Sequence, residues 1–408
     1  NALTLDYLSE EIENKLRVEN TNRVGTWKLN YGANLDVVRY TNETYQKRFF
    51  QGQQRIIDYE TDLGLVKWGL FAQTSKNLMA NALTLSAGIR FDANNYASSM
   101  SNPLDQFSPR ISASYNLTSE WSLNANVGRY FQLPPYTSLG FKRNDVFVNQ
   151  ENELKYIRSD HFITGVEYRP SAVVQFSTEG FLKTYANYPY SVNDGLSLAN
   201  KGADYGVLGD EEVVSTGEGR AYGVEFLARI NNQKNLNGNI SYTLVRSEFI
   251  ENQTGEYIPS TWDSKHLVSI YGTYRMKNDW SVGGKWRFVG GLPYTPFDLE
   301  KSALVEAWEA TGAPYPDLNR INRERLGAFH QLDLRVDKAF YLKRLTAKFY
   351  LDIQNAYNFQ AENNDIVVRQ RDANGNLQLT PDGKSYVLRS VKNTSGTVLP
   401  TIGIIIEL

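Results

Sequence analysis

The sequence has no cysteine, so neither a disulfide framework nor a thiolate metal site is open to it. It has no run of about 18 apolar residues, which excludes a membrane-spanning helix. Histidine is scarce. His161, His266 and His330 fall in three separate predicted strands, none with a carboxylate or serine at a motif spacing, so the chain reads as a non-enzyme. Only a site assembled from distant strands would escape that reading. Neither sign of charge is in surplus: 43 Lys and Arg face 45 Asp and Glu, with no basic stripe, which argues against nucleic acid as a partner. The opening NALTLDYLSEE lacks a basic region before an apolar stretch, so it carries no signal peptide. For an exported protein this implies a processed or truncated start. No cofactor is indicated.

What is present is alternation. In TWKLNYGANLDVVRY, Thr26 to Tyr40, one side carries Trp27, Leu29, Tyr31, Ala33, Leu35 and Val37. The other carries Lys28, Asn30, Gly32, Asn34 and Asp36. Successive side chains of a strand point to opposite faces, so this segment has one oily and one wet wall. Ten residues of strand span about 34 Å, or about 25 Å of height at a tilt of about 40°, the depth of the apolar band on an outer-membrane barrel.

The rhythm returns through the chain. Strands are predicted over Asn1 to Asn20, Thr26 to Tyr40, Leu65 to Gln73, Leu83 to Phe91, Ile111 to Leu117 and Trp121 to Val127. Further strands follow over Phe162 to Tyr168, from Pro170 through Lys183, and over Tyr222 to Ile230, Leu236 to Leu244, Val268 to Tyr274 and Trp280 to Phe288. The last three are Leu332 to Val336, Leu345 to Ile353 and Ile402 to Leu408. Short turns are expected at Thr21 to Gly25 and Ser75 to Ala80, and long loops near Tyr45 to Tyr59, Pro134 to Lys155, Ser191 to Glu218, Glu251 to Asp263, Pro293 to Leu326 and Gln360 to Thr397. Connections thus alternate between short and long, as in an up-and-down membrane barrel. A sandwich or propeller has no reason to sort loop length by parity.

The expected fold is therefore all-β, a transmembrane antiparallel up-and-down β-barrel with about fifteen strands in this chain. A closed antiparallel barrel with both termini on one side needs an even number, so an odd number of strands is expected to be missing. Trp27, Trp121 and Trp280 each follow a predicted short turn as the first oily residue, the place for an indole at a membrane interface.

Several segments then resemble one family. GRYFQLPPYTSLGF (128–141), GRAYGVEF (219–226), WDSKHLVSIYGTY from Trp262, GGLPYTPFD (290–298), FHQLDLRVDKAF (329–340) and FYLDIQNAYNF (349–359) resemble TonB-dependent outer-membrane receptors. The likeness is nearest to receptors that also carry an amino-terminal immunoglobulin-like or carboxypeptidase-regulatory-like domain. It implies a barrel of about 22 strands around a plug, of which residues 1–408 would be the carboxy-terminal part. It also implies the outer membrane of a Gram-negative bacterium, and as partners membrane lipid, the plug and missing strands, and the TonB complex through an absent segment. A surface lipoprotein is a further candidate. Such chains usually end on an aromatic residue, whereas this one ends on Leu408. The implied activity is energy-coupled uptake of a scarce or bulky ligand (siderophore, oligosaccharide or peptide); the alternative is a non-transporting barrel serving as adhesin or lipoprotein scaffold.

The candidate ligand-facing residues are loop aromatics: Tyr136, Phe141, Trp262, Tyr294, Trp308 and Tyr315, with Phe147, Tyr205 and Tyr257 nearby. For any single one of them, packing of loop on loop is the favoured reading. Asp372-Ala373-Asn374-Gly375-Asn376 lacks the glycine and bidentate glutamate of a calcium loop and is read as a hairpin turn. The run Asp210, Glu211 and Glu212 offers donors for a divalent ion, with a solvated loop face as the favoured reading. Asp36, Arg90, Glu179, Lys183, Glu225, Arg229, Lys285, Arg287, Asp333, Arg335 and Asp352 fall on the wet wall, with signs interspersed for pairing with each other and with the plug.

Overall fold

A computed structural model describes residues 3–50, 53–202, 209–251 and 254–407; Tyr205 and Leu408 lie outside them. Fifteen long strands pair antiparallel in strict sequence order. They are β1 (Leu5–Val24), β2 (Trp27–Phe50), β3 (Gln53–Leu78), β4 (Leu83–Asn94), β5 (Arg110–Asn116), β6 (Trp121–Gln132), β7 (Ile157–Ser171) and β8 (Val174–Ser191). Then come β9 (Val213–Gln233), β10 (Leu236–Ile250), β11 (Lys265–Arg275), β12 (Trp280–Val289), β13 (Phe329–Tyr341), β14 (Thr346–Gln354) and β15 (Leu399–Glu407). A three-residue strand, Tyr257–Pro259, pairs with the top of β10. Among the described residues β1 and β15 pair on one side only, so the sheet is an open wall.

The oily side of that wall is the outside. Leu35, Leu70, Ile89, Leu123, Val224, Ile240, Phe349 and Ile404 are each between 40% and 56% exposed, far above what core residues of a globular protein show. Partners across the ladder share a face, so Leu35↔Trp68 and Phe349↔Ile404 extend the same apolar surface from stave to stave.

Above this band the two faces exchange character. On β2 the inner series Lys28 to Asp36 continues as Val38 and Tyr40, which are 2% and 1% exposed. The outer series continues after Val37 as Arg39, whose guanidinium donates to Asp62 at 3.0 and 2.8 Å. Lipid outside demands apolar groups outside; where water replaces lipid, the apolar groups move to the inner face against protein. The break in alternation at Val37-Val38 marks that level.

Three connections differ from expectation. Tyr45 to Tyr59 is no loop: β2 and β3 stay paired from Trp27↔Lys76 up to Phe50↔Gln53. Thr41, Asn42, Glu43 and Thr44 are polar on both faces and so carry no period, yet they suit a ladder with water on one side. Similarly, β1 runs to Val24, shrinking the first turn to Gly25 and Thr26, with Gly25 at φ +62°. The stretch from Ser191 to Glu218 is shorter than expected, because β9 begins at Val213. The remaining long connections lie at the same end of the wall as this extended hairpin, and short turns lie at the other.

Candidate functional site

The loops at the open end fold into one body against the inner wall. Leu139, Leu154, Tyr156, Leu198, Val213, Tyr96 and Met100 pack with Val38, Tyr40, Leu63 and Leu65 of β2 and β3. Three connections (95–109, 133–156 and the described residues 192–202 and 209–212) therefore share a core with the upper barrel. Gly140 permits a close approach to the wall: a Cβ there would stand 2.7 Å from the Tyr40 ring, and its carbonyl accepts from Thr61 Oγ1 at 2.5 Å. Tyr96 Oη donates to the Leu139 carbonyl at 2.8 Å, and Asn94 Nδ2 to Tyr156 Oη at 2.9 Å. Burial pushes the Tyr156 hydroxyl up to about 12.

The run Asp210, Glu211 and Glu212 is not a solvated face. Asp210 and Glu211 are 1% and 4% exposed. Lys201 lies 2.6 Å from Asp194 and is also paired with Glu211, which accepts from Ser191 Oγ. Burial disfavours the Lys201 charge, but the two carboxylates outweigh it and raise its pKa. Charges this deep must be paired, and three acids in a row gave no hint that a lysine ten residues upstream would close on them.

Beneath the loops lies a polar floor. Lys67 Nζ donates to Glu13 at 3.0 Å and to Tyr136 Oη at 2.8 Å, with Asp36 at 3.8 Å; Tyr136 Oη donates to Glu13. The Tyr136 ring lies 6.0 Å from that of Tyr40. Tyr136 thus joins a loop to the charged inner wall. Of the inner-wall charges expected to pair with one another, Arg287 lies 3.6 Å from Asp333, and Arg335 lies 3.8 Å from Asp352 but nearer Asp337 at 2.8 Å; Asp36 has Lys67 as its partner instead. Arg90 instead reaches Asp92, which periodicity alone did not single out, and Asn34 of the same wet wall.

The other loops cross the mouth. The helix Val305–Thr311 rises from the connection between β12 and β13, yet its Glu306 carbonyl accepts from Gln54 Nε2 at 3.0 Å beside the β2–β3 hairpin. Asn322 Nδ2 donates to the carbonyls of Asn200 at 2.7 Å and Pro259 at 2.8 Å, tying three connections together.

Of the aromatic candidates, Phe141 and Trp308 are 8% and 5% exposed and pack against Tyr59 and Arg369. Tyr315 packs on Ala307 and Ala310, and its hydroxyl donates to the Ala307 carbonyl at 3.1 Å. Tyr294 is half-buried in a two-residue ladder with Glu324. Trp262 keeps 51% of its surface, with Nε1 donating to Ser247 Oγ at 3.1 Å. The structure brings none of these six into contact with all the others; they are spread around the mouth. Asn374 and Gly375 do form a turn, with Gly375 at φ +85° and Asp372 and Asn376 joined at 2.9 Å. Among the described residues no three His, Asp or Glu side chains converge in a metal-binding arrangement. His161, His266 and His330 sit on β7, β11 and β13.

At the short-turn end, Trp27, Trp121 and Trp280 all point outward at 42% to 44% exposure. Lys76 Nζ lies 4.7 Å from the Trp27 ring, Trp121 stacks on Tyr168 at 4.4 Å, and Lys338 lies 5.8 Å from Trp280.

Comparison with known proteins accords with this geometry. No curated protein matches the chain. Among solved structures it is similar to Pseudomonas aeruginosa FpvA bound to a heterologous pyoverdine, at 14% identity and a TM-score of 0.61 over 88% of this chain and 46% of that one. It is similar to the ferric citrate transporter FecA in its unliganded form, at 14% identity and 0.59 over 99% and 55%. The ferric yersiniabactin uptake receptor FyuA of Yersinia pestis aligns at 12% identity and 0.60 over 98% and 54%. The chain spans about half the length of these structures. Residues 4–356 match the model of the TonB-dependent receptor-like β-barrel, and the chain belongs to that family.

Proposed function

We propose that this chain is the carboxy-terminal wall of a Gram-negative outer-membrane receptor that imports a scarce or bulky ligand with energy delivered through TonB. The observation that carries this reading is the outward apolar surface shared by successive staves, with every elaborated connection at one end. The two open edges support a larger barrel, since unpaired backbone groups are costly in hydrocarbon. About seven further strands and a plug would then come from the rest of the receptor. The inner wall favours a plug as well: Asn30 Oδ1, Asn126 Oδ1 and Asn239 Oδ1 are buried there without a hydrogen-bond partner.

In this reading the loop body captures ligand. Trp262 is the aromatic with most surface to offer, Tyr136, Tyr294 and Tyr315 line the mouth with part of their rings, and Phe141 and Trp308 hold the loops in shape. Trp27, Trp121 and Trp280 anchor the inner interface. The ligand classes remain ferric siderophore, oligosaccharide and peptide. The test is growth on each class by cells carrying the intact receptor, with and without TonB. Growth that needs both the receptor and TonB supports import; receptor-dependent growth indifferent to TonB sinks energy coupling. A receptor that supports no growth and co-purifies with a surface lipoprotein would make it a scaffold.

A further inference from the structure

We propose that the lipid-facing side of β6 and β7 holds a binding site for the phosphate of an outer-leaflet lipid, formed by Arg129 and Arg158 around Asp160. The inference rests on the outer-membrane reading above and adds a partner to it. Outward pairs climb these two strands as Trp121↔Tyr168, Leu123↔Val166, Ala125↔Thr164 and Val127↔Phe162. The next outward pair is Arg129↔Asp160, and the one above it is Phe131↔Arg158. The charged cluster therefore sits directly on the apolar band, whose last members Val127 and Phe162 are 51% and 48% exposed.

This cluster lies low. From Trp121 to Arg129 is eight residues, about 27 Å of strand and about 21 Å of height at a tilt of about 40°. On β2 the first outward cation, Arg39, comes twelve residues above Trp27, about 31 Å up. An apolar band of about 25 Å therefore leaves Arg129 just inside its upper edge, where a long side chain reaches the headgroups, and Arg39 in water.

It also carries unanswered charge. Asp160 accepts from Arg129 Nε at 2.6 Å and Nη2 at 3.3 Å, and lies 3.3 Å from Arg158 Nε. Two guanidiniums share one carboxylate, leaving one positive charge and most of their N–H donors free for an anion. Both arginine side chains are 40% exposed. Farther along the row Arg220 donates to Glu248 at 2.7 Å, and Arg246, 3.4 Å from the same carboxylate, also pairs with the buried Asp263. On β2, Arg39 and Asp62 satisfy one another as a fork. A phosphate suits what remains at Arg129 and Arg158, because the planar fork matches its oxygens. Acyl chains of the same molecule would lie on Val127, Phe162 and Leu182.

The test reconstitutes the intact receptor in phosphatidylcholine nanodiscs doped with diphosphoryl lipid A or with its dephosphorylated form, and counts retained lipid by native mass spectrometry. Wild type is expected to retain the phosphorylated lipid, and Arg129→Gln/Arg158→Gln to lose about tenfold or more of that retention, as loss of charge-assisted hydrogen bonds implies. Arg39→Gln should retain as much as wild type. Equal retention by the double variant, or equal retention of the dephosphorylated lipid, overturns the site. Displacement by millimolar inorganic phosphate overturns the lipid as its source. Should the double variant fail to insert, Arg158→Gln alone must still lower retention, and no change there refutes the proposal. Failure of the wild type to insert would sink the membrane reading instead.

Discussion

Leu139 is 0% exposed at the centre of the loop core, and replacing it with alanine should release the loops without unfolding the wall. Removing three carbons costs about 2.4 kcal/mol at about 0.8 kcal/mol each, and the cavity left behind raises this to about 3 kcal/mol. The staves do not depend on that residue: their ladders run unbroken below the level of Val38. The cost should therefore appear as local opening of 95–109, 133–156 and 192–212, favoured roughly 150-fold over wild type. Hydrogen exchange of the reconstituted receptor reads this directly. Amides in the three connections should lose about two orders of magnitude of protection, while β12 to β14 keep theirs. Leu104→Ala, at a position 70% exposed, supplies the control and should change neither region. Unaltered protection in the three connections would refute the shared core, and equal loss throughout the wall would refute its separation from the barrel.

Lys67→Met and Tyr136→Phe both remove partners of Glu13, so their effects on loop protection should be non-additive, with a coupling of about 1 kcal/mol; strict additivity would contradict the polar floor. Glu153 is held below its ordinary value of 4.5 by the Ser99 N–H and the Ser98 hydroxyl, both of which donate to it. A depressed carboxylate stabilises above its unfolded pKa and loses that contribution as pH falls. Wild type and Glu153→Gln should therefore differ in proteolysis of loop 95–109 at pH 7 and converge only once pH has fallen through the depressed carboxylate's range; a constant gap would count against the contact. On β6, Ala125→Lys places a charge about 10 Å above the Trp121 rim on the lipid face and should cost about 2–4 kcal/mol of refolding stability in vesicles. Its inward neighbour Asn124→Lys should cost far less, and equal costs would mean that the faces have been assigned backwards.

The staves were legible because each carries its own signal. Alternation from Trp27 to Val37 or from Leu236 to Leu244 needs no knowledge of neighbours, since lipid imposes it one residue at a time. The extended hairpin over Tyr45 to Tyr59 was misread for the same reason: with water outside, the pattern fades while the ladder continues. The Val37-Val38 break was readable in principle as the level where the apolar side changes face. Nothing local marked Lys201 as the partner of Glu211, or Phe141 and Trp308 as packing residues, because those roles depend on loops that meet only in the folded molecule.

By itself, the sequence determined the number of staves, the side each one turns to lipid, and the end at which the long connections gather. These follow from chain-local periodicity and from the solvent on each face. Only the tertiary structure decided how the connections knit into a body over the inner wall, how far β2 and β3 rise above the band, and that Arg129, Asp160 and Arg158 stand together outside it. Such contacts join residues tens to hundreds of positions apart, and ladder register and loop closure bring them together rather than any repeat in the chain.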